Sequence, residues 1–357
     1  MFHFGTKKMR KKEFEELVSA LADAENVPSE VWCSLLALGA DERNELAALA
    51  RKVTEENFGK GVYVRALIEI SSFCKNNCRY CGLRVANRNA VRYRLAKEQI
   101  LECCEKGALL GFNTFVLQGG EDVAQTDEWL ADVVRAIKER YPDKAVTLSV
   151  GERSDYGYSL LRSAGADRYL LRHETASEEH YSLLHPSAMS PANRKHCLLV
   201  LKRLGYQVGS GMMVGSPGQG IDELVADLTF LDSLKPAMIG IGPFIPARGT
   251  PFAGEYPGNV ETVLLLLSLL RLRFPKALIP ATTALATLCE DGTERGILAG
   301  ANVVMPNLTP RAYAGNYTIY DNKKYHDSES AAQLELLKRR LGVIDRYIDY
   351  GRGDYKI

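Results

Sequence analysis

Hydrophobic residues recur at two different spacings along the chain, and the spacing changes near residue 60. Between residues 9 and 58 apolar positions follow the three-to-four-residue spacing of helices that pack on one face, as seen at Leu17, Leu21, Val31, Leu35, Leu36, Leu46, Leu49 and Val53. From residue 62 onward, short β-branched runs alternate with amphipathic stretches. The runs predicted to be strands are 62–70, 114–118, 145–150, 167–172, 206–214, 237–242, 277–281 and 301–306.

Helical stretches fill the gaps between these strands. They are 97–110, 127–140, 155–164, 191–204, 221–234, 260–272 and 291–299, and several end at a glycine suited to a helix C-cap, namely Gly111, Gly165, Gly205 and Gly300. Strand–helix units of this number over about 250 residues predict an α/β fold of the complete (β/α)8 TIM-barrel type. A doubly wound open sheet is the alternative, although it seldom needs eight parallel strands. We therefore expect a helical N-terminal extension (1–60), a barrel (61–320) and a C-terminal helical tail (321–357).

Composition and charge narrow the functional classes. The 45 Lys+Arg and 44 Asp+Glu residues give a net charge of +1, and 46% of residues are hydrophobic. This is ordinary globular composition, and it offers no support for nucleic-acid or membrane-surface binding. The most apolar stretch, 263–272, is interrupted by Ser268 and Arg271 and is too short to cross a bilayer. Eight cysteines in a chain of this length, without a secretory signal, indicate a reducing cytoplasm.

Three of these cysteines form the most informative motif. Cys74, Cys78 and Cys81 make a CxxxCxxC pattern directly after the first predicted strand, where catalytic groups of barrel enzymes collect. Such a loop can hold three thiolates around one soft metal centre. A structural zinc site or a plain electron-transfer cluster normally has a fourth ligand, and none is near. A [4Fe–4S] cluster held by three cysteines instead leaves one iron open to a small molecule. The other cysteines are predicted to be structural, namely Cys33, Cys103, Cys104, Cys197 and Cys289.

CxxxCxxC with an aromatic residue, Tyr80, just before its last cysteine resembles the radical S-adenosylmethionine (SAM) superfamily. The resemblance implies a cluster whose open iron chelates SAM and cleaves it to a 5′-deoxyadenosyl radical. The segment from Gln118 and Gly119 to Glu121 is similar to the glycine-rich segment that approaches the SAM amino group. A carboxylate at Glu174 is suited to the ribose hydroxyls, and Arg194 to the SAM carboxylate. Further positions predicted to contact the cofactor are Ser149, Met213 and Ile245, with core packing as the alternative for the last two.

Longer segments resemble one family within this superfamily, the HydE maturases of [FeFe]-hydrogenase. They include CRYCGLR (78–84), RYR (92–94), LQGGED (117–122), LRHETA (171–176), MVGSPGQ (213–219), IPATTA (279–284) and GANVVMPN (300–307). The resemblance implies a barrel with an internal cavity and a role in assembling the organometallic di-iron subcluster of the hydrogenase. By the same resemblance the cavity is lined by Arg65, Arg172, Thr282, Thr283, Met305, Tyr317 and Tyr320.

Two buried arginines in that cavity, Arg65 and Arg172, would need an anionic partner. We therefore predict a small anionic substrate, expected to be an iron complex, with an internal ion pair to Glu69 or Glu174 as the alternative. The expected partners are other hydrogenase maturation proteins and an electron donor, either ferredoxin or flavodoxin.

Several alternatives stay open within and outside this family. Many HydE relatives carry a second, cysteine-bound cluster near the C-terminus, but the last cysteine here is Cys289, which predicts a single cluster. Methylornithine synthase and biotin synthase share the barrel. A non-catalytic iron–sulfur scaffold would keep the cysteines without needing Glu174 and Arg194.

Overall fold

The structure is a computed structural model that describes residues 10–323 and 331–356. Its strands are β1 (Gly61–Val64), β2 (Ala66–Ser71), β3 (Thr114–Gly119), β4 (Ala145–Ser149), β5 (Arg168–Leu170), β6 (Gln207–Ser210), β7 (Met213–Val214), β8 (Met238–Ile239), β9 (Gly242–Pro243), β10 (Val303–Val304) and β11 (Tyr347–Asp349). Its helices are α1 (Lys11–Asp23), α2 (Ser29–Leu36), α3 (Ala40–Phe58), α4 (Lys97–Leu109), α5 (Asp127–Arg140), α6 (Asp155–Ser163), α7 (Glu178–Leu184), α8 (Pro191–Arg203), α9 (Ile221–Leu234), α10 (Val260–Arg273), α11 (Thr283–Leu288), α12 (Gly292–Leu298), α13 (Arg311–Ala314) and α14 (Ala331–Val343).

A parallel sheet with helices between its strands forms the centre of the fold, as the alternating pattern predicts. Six strands lie in the order β2-β3-β4-β5-β6-β8, and every neighbouring pair is parallel. Beyond β8, isolated parallel bridges join Met238 to Leu278, Pro280 to Val303 and Asn307 back to Leu67 in β2. All parallel strands in one sheet end on the same side, so the loops that follow β2, β3, β4 and β5 meet there.

Four of the predicted strands differ from the structure. The run 62–70 divides at Arg65, because β1 pairs with β10 and β11 whereas β2 joins the six-stranded sheet. The runs 206–214 and 237–242 divide where two glycines approach closely: a Cβ on Gly211 would lie 2.0 Å from the Gly240 carbonyl oxygen. The run 277–281 forms isolated bridges rather than a ladder within the described residues. Proline at 280, which has no N–H to donate, is one physical reason.

The helices follow the prediction more closely. α5 and α9 begin and end at the predicted residues, and the four glycines predicted as C-caps all have φ between +76° and +114°. The prediction missed α7, α11 and α13, which lie in the connections after strands. These three helices have seven residues or fewer, too short to show a clear apolar period.

The apolar stretch around 263–272 is helix α10, which packs between the sheet and the N-terminal helices α1 and α3. Its Arg271 is fully buried, and backbone carbonyls satisfy its guanidinium: Nε donates to Gly300 O at 2.8 Å and Nη1 to Pro275 O at 2.8 Å. Burial lowers the pKa of Arg271 to about 9. Among the described residues, no helix combines the length and apolarity that a membrane crossing requires.

The C-terminal part of the chain returns to the sheet. After helix α14, β11 pairs in parallel with β1, and the residues that follow cross the end of the sheet opposite the cysteine loop. There Arg168 of β5 is fully buried and donates to Gly353 O at 3.0 Å and to Asp354 Oδ1 at 2.6 Å. We call the contacts that residues 352–354 make at this end of the sheet the sheet floor.

Candidate active site

The cysteine motif lies in the loop that follows β2, at the carboxyl end of the sheet. Cys74, Cys78 and Cys81 are free and partly exposed. The loop packs against the glycine turn after β3, where a Cβ on Gly120 would lie 2.2 Å from Phe73 O and 2.7 Å from Cys74 Cβ. Any residue other than glycine at position 120 would therefore displace the first cysteine.

Arg92 holds this loop in shape, a role that the sequence did not reveal. Its Nη1 donates to Ser72 O at 2.5 Å and to Leu83 O at 2.9 Å, and its Nη2 donates to Arg84 O at 2.8 Å. One guanidinium thus joins both ends of the cysteine loop. The neighbouring Arg94 adds a second clamp through two hydrogen bonds to Asp122, at 2.6 and 2.9 Å.

Burial and neighbouring charges act together on the pKa values of the three cysteines. Burial raises the pKa of Cys78, and the nearby Cys81 and Cys74 raise it further by repulsion between thiolates. Burial likewise raises the pKa of Cys81 to about 12. No group of three His, Cys, Asp or Glu side chains within residues 10–323 and 331–356 is arranged to hold one metal ion. A [4Fe–4S] cluster binds each thiolate at a different iron, so its ligands need not converge on one centre.

Glu174 follows β5 and lies near the cysteine loop. Its backbone is left-handed, with φ of 65°, a conformation that costs a non-glycine residue of order 1 kcal/mol. The residues on either side hold it there: His173 Nδ1 lies 3.0 Å from Ser210 Oγ, and Ala176 N donates to Asp227 Oδ1 at 2.5 Å. Burial by itself raises the pKa of Glu174, but Arg172 outweighs it, and the net pKa is below the usual value.

Arg172 and Arg194 both lie beside Glu174. Arg172 Nη2 donates to Glu174 Oε2 at 2.5 Å, which is the internal ion pair considered as an alternative for this arginine. Arg194, near the start of α8, donates from Nε to Glu152 Oε1 at 2.5 Å and from Nη1 to Arg172 O at 2.7 Å. Burial lowers the pKa of Arg194, but Tyr181 and Glu152 outweigh it and raise the net value.

Tyr80 is fixed by a histidine that sequence reasoning missed. His185 Nδ1 lies 3.2 Å from Tyr181 O, which can only accept, so Nε2 accepts from the Tyr80 hydroxyl at 3.2 Å. Burial and Arg194 lower the pKa of His185 to about 4, which agrees with a neutral ring. The Tyr181 hydroxyl is buried and has no hydrogen-bond partner within the described residues. It is close enough to Arg194 and Glu152 to interact with their charges. An unsatisfied hydroxyl at this point fits a site for a polar ligand such as SAM.

The ends of β3 and β4 contribute further polar groups. Gln118 and Ser149 pair in register, and Gln118 Nε2 donates to the Tyr317 hydroxyl at 3.4 Å. Glu121 is buried and accepts from Glu152 N at 2.9 Å, so it braces the loop after β4. Gly119 pairs with Ser71, and a Cβ at this position would make only ordinary van der Waals contacts, at 3.4 Å or more.

Apolar residues complete this end of the sheet. Met213, Leu184, Phe244 and Phe252 form a buried cluster against which Tyr80 packs. Ile245 is also buried and follows Phe244 directly. Met213 and Tyr80, two of the predicted cofactor contacts, thus lie in one apolar cluster.

The predicted cavity residues divide into separate groups. Thr283 and Met305 line a cavity of about 100 Å³, together with Lys323 and residues of α14. Thr282 lies beside them with a buried hydroxyl that has no partner in the described part of the chain. Sequence reasoning missed Lys323, which forms a buried ion pair with Glu69 and lies 4.7 Å from the centre of the Tyr317 ring.

Tyr320 and Arg65 complete the comparison with the predicted cavity. Tyr320 is partly buried and close enough to Arg172 to interact with its charge. Arg65 lies at the sheet floor, where Nη2 donates to Gly353 O at 3.3 Å and Nη1 contacts Met238 Sδ at 3.2 Å. It pairs with neither Glu69 nor Glu174. The structure therefore does not bring Arg65 and Arg172 around one group, because the C-terminal residues supply the partners of Arg65.

Known proteins are similar to this chain in sequence and in fold. Residues 68–231 match the Radical SAM superfamily model. The chain is 46% identical, over 84% of its length and 86% of the relative, to the [FeFe] hydrogenase maturase subunit HydE of Thermotoga maritima. It is 31% identical to the 3-methylornithine synthase of Methanosarcina barkeri, over 94% of this chain and 95% of that protein.

A solved structure has the same fold. The crystal structure of methylornithine synthase (PylB) superposes with a TM-score of 0.81 at 28% identity and covers 93% of this chain and 97% of its own. The fold, the cysteine loop and the HydE identity agree with one another. The chain therefore belongs to the radical SAM superfamily and, within it, to the family of HydE-type [FeFe]-hydrogenase maturases.

Proposed function

We propose that this chain is a radical SAM maturase that acts in the assembly of the organometallic di-iron subcluster of [FeFe]-hydrogenase. The observation that carries the proposal is the 46% identity to the HydE subunit over 84% of the chain. Glu174, Arg194 and Tyr80 lie close enough to the thiol of Cys78 to interact with its charge, which supports an enzyme rather than a passive iron–sulfur scaffold.

The superfamily's cofactors are a [4Fe–4S] cluster and SAM, which together supply a 5′-deoxyadenosyl radical. In this proposal Cys74, Cys78 and Cys81 hold the cluster. Glu174 orients the ribose, and Arg194 binds the SAM carboxylate. Each residue then exchanges or shares its present ion-pair partner, which is Arg172 for Glu174 and Glu152 for Arg194. The remaining predicted contacts are Tyr80, Gln118, Gly119, Glu121, Ser149, Met213 and Ile245. The apolar cluster around Met213 keeps water away from the reacting atoms.

We further propose that the sheet closes into a complete (β/α)8 barrel. The bridges from Met238 to Leu278, from Pro280 to Val303 and from Asn307 to Leu67 support closure, because they continue the parallel order from β8 back to β2. The division into an N-terminal extension (1–60), a barrel (61–320) and a tail (321–357) stays a proposal. The comparison of the tail with cluster-bearing relatives falls partly on residues 324–330, outside the described residues.

The proposed substrate is a small anionic iron complex, and the cavity lined by Thr283, Met305 and Lys323 is a suitable place for it. Arg172 lies at the cofactor end of the interior and can exchange its ion pair with Glu174 for such an anion. Other hydrogenase maturation proteins are the proposed partners. A reducing cytoplasm is the proposed location, since all eight cysteines are free.

A second candidate function is 3-methylornithine synthesis. The 31% identity to the Methanosarcina barkeri enzyme over 94% of the chain favours it among the other superfamily activities. Formation of 3-methylornithine by the purified protein would replace the maturase proposal with this one.

Reductive cleavage of SAM tests the proposed enzyme class. We expect the anaerobically reconstituted protein, with SAM and a chemical reductant, to form 5′-deoxyadenosine and methionine. Added to an extract that lacks only this maturase, it should restore hydrogen evolution by immature [FeFe]-hydrogenase. If the wild-type protein forms no more 5′-deoxyadenosine than a Cys78→Ala control, only the scaffold function remains.

Arg194 gives a sharper test of SAM binding. Loss of one charge-assisted contact is worth roughly 1.5–3 kcal/mol, so Arg194→Gln should weaken SAM binding about 10–100-fold. Isothermal titration calorimetry of the reconstituted protein with SAM measures this change in affinity. Arg203→Gln is a matched control, because Arg203 lies on the same helix with a largely exposed side chain. Equal SAM affinity in the Arg194 and Arg203 variants would remove Arg194 from the cofactor site.

A further inference from the structure

The segment that carries the cysteines is strongly basic, although the whole chain is nearly neutral. Residues 71–97 contain no Asp or Glu, and their cations are Lys75, Arg79, Arg84, Arg88, Arg92, Arg94 and Lys97. The complete chain has 45 basic and 44 acidic residues, so this imbalance is local. It lies on the loop that surrounds the cluster ligands.

Acidic neighbours neutralise only part of this charge. Lys75 pairs with Glu121 at 3.4 Å, Arg94 with Asp122 at 2.6 Å and Lys97 with Asp132 at 2.6 Å. The remaining cations are Arg79, Arg84, Arg88 and Arg92. None of them has an ion pair with a carboxylate in residues 10–323 or 331–356.

These four arginines differ in what they do for the fold. Arg84 donates to Asn77 Oδ1 at 2.8 Å, and Arg92 clamps the loop through backbone carbonyls. Arg79 and Arg88 are exposed, and their side chains form no hydrogen bond or ion pair in the described part of the chain. Two positive groups are thus exposed to solvent, one within the cysteine loop and one seven residues after its last cysteine.

Apolar residues lie on the same segment. Val85 is 57% exposed and Val91 is 60% exposed, and both lie between the arginines in sequence. Exposed apolar side chains among arginines are typical of a protein–protein interface, in which arginine is enriched and lysine is depleted.

The position of the segment limits which partner gains from docking there. Arg79 lies between Cys78 and Tyr80, and the three cysteines are partly exposed residues. Electron transfer weakens steeply with distance, so a donor has to approach the cluster at this loop. Complementary charge steers such an encounter and raises its rate.

We propose that the surface formed by Arg79, Arg84, Arg88, Val85 and Val91 is the docking site of an acidic one-electron carrier protein of the ferredoxin or flavodoxin type. This inference rests on the proposed function, which requires a reduced cluster. One electron leaves the carrier, which is oxidised by one unit, and reduces the cluster by one unit. No bond or proton is transferred in this step.

The test measures cluster reduction by a fully reduced, acidic flavodoxin in an anaerobic stopped-flow instrument. The variant is the double substitution Arg79→Gln, Arg88→Gln in the reconstituted protein. We expect its second-order rate constant at low ionic strength to fall about tenfold below wild type, because two steering charges are lost. Salt at about 0.5 M should shrink the difference, since it screens exposed charges.

Three controls keep the result specific. Arg135→Gln, Arg339→Gln removes the same charge from exposed positions on α5 and α14, and it should leave the rate unchanged. Arg79→Lys, Arg88→Lys keeps the charge and should retain most of the wild-type rate. Photoreduction with deazariboflavin, a small molecule that needs no docking site, should support SAM cleavage equally in all variants.

Each other outcome overturns the docking site. Equal flavodoxin rates in the Gln variant and wild type, or a loss that salt does not change, would show that these charges do not steer the carrier. A lysine variant as slow as the glutamine variant would show that charge is not the cause. If wild-type protein fails to cleave SAM after photoreduction, the proposed function fails, whereas the flavodoxin rates still test the surface.

Discussion

The Cys74→Ala, Cys78→Ala and Cys81→Ala variants should each bind no [4Fe–4S] cluster after anaerobic reconstitution, whereas the wild-type chain binds about four iron atoms. The reason is geometric. Gly120 and Arg92 hold the loop closely, so a neighbouring cysteine cannot move in to replace a lost ligand. Iron content and visible absorbance measure the effect, and SAM cleavage should be lost completely.

The other cysteines provide the controls. Cys103, Cys104 and Cys197 are buried in the apolar core, and Cys289 contacts Asp291 with its thiol at 2.8 Å. We expect Cys197→Ala and Cys289→Ala to keep the wild-type iron content. A folded Cys197→Ala protein without a cluster would mean that the ligand set has been assigned wrongly.

Replacing Arg168 by methionine should destabilise the apo protein by about 3 kcal/mol, the lower end of the cost of breaking a buried ion pair. Arg168 is fully buried and donates hydrogen bonds to Asp354 and to two backbone carbonyls at the sheet floor. We choose the lower end because Asp354 would not be left as an unpaired buried charge. It still forms an ion pair with Arg352, at 2.8 Å, and is partly exposed to solvent. Urea unfolding followed by circular dichroism measures the change.

Two comparisons make this result interpretable. Arg135→Met replaces an exposed arginine and should change stability by no more than about 0.5 kcal/mol. Asp354→Asn keeps a hydrogen-bond acceptor for Arg168 and should cost less than the loss of Arg168 itself. A change below about 1 kcal/mol in Arg168→Met would mean that the floor contact contributes little to folding.

The sequence predicted the features that depend on local pattern. Helices such as α5 and α9 and the cysteine loop follow from residue spacing, and the placement of Glu174 and Arg194 at one end of the sheet follows from parallel topology. Polar residues at strand ends are informative because the carboxyl ends of parallel strands meet.

Contacts between distant residues were beyond this reasoning. Strand alternation leaves open which side of the sheet Arg65 faces, and it does not show that residues 352–354 lie beside this arginine. The ion pair between Glu69 and Lys323 joins residues 254 positions apart, and no local signal links them. Arg92 also escaped notice, because carbonyl acceptors belong to every residue and leave no mark in the sequence.

The sheet floor has a consequence for the order of folding. There the Arg65 side chain donates to the carbonyl of Gly353, which lies 288 positions later in the sequence. Closing so large a loop costs conformational entropy before the contact can compensate, and topologies rich in distant pairings fold slowly. Strands β2 to β6 join neighbours along the chain and can assemble early. The pairing of β1 with β11 therefore forms late, and a refolding experiment should find a slow phase in which Arg168 gains its partners after the sheet has formed.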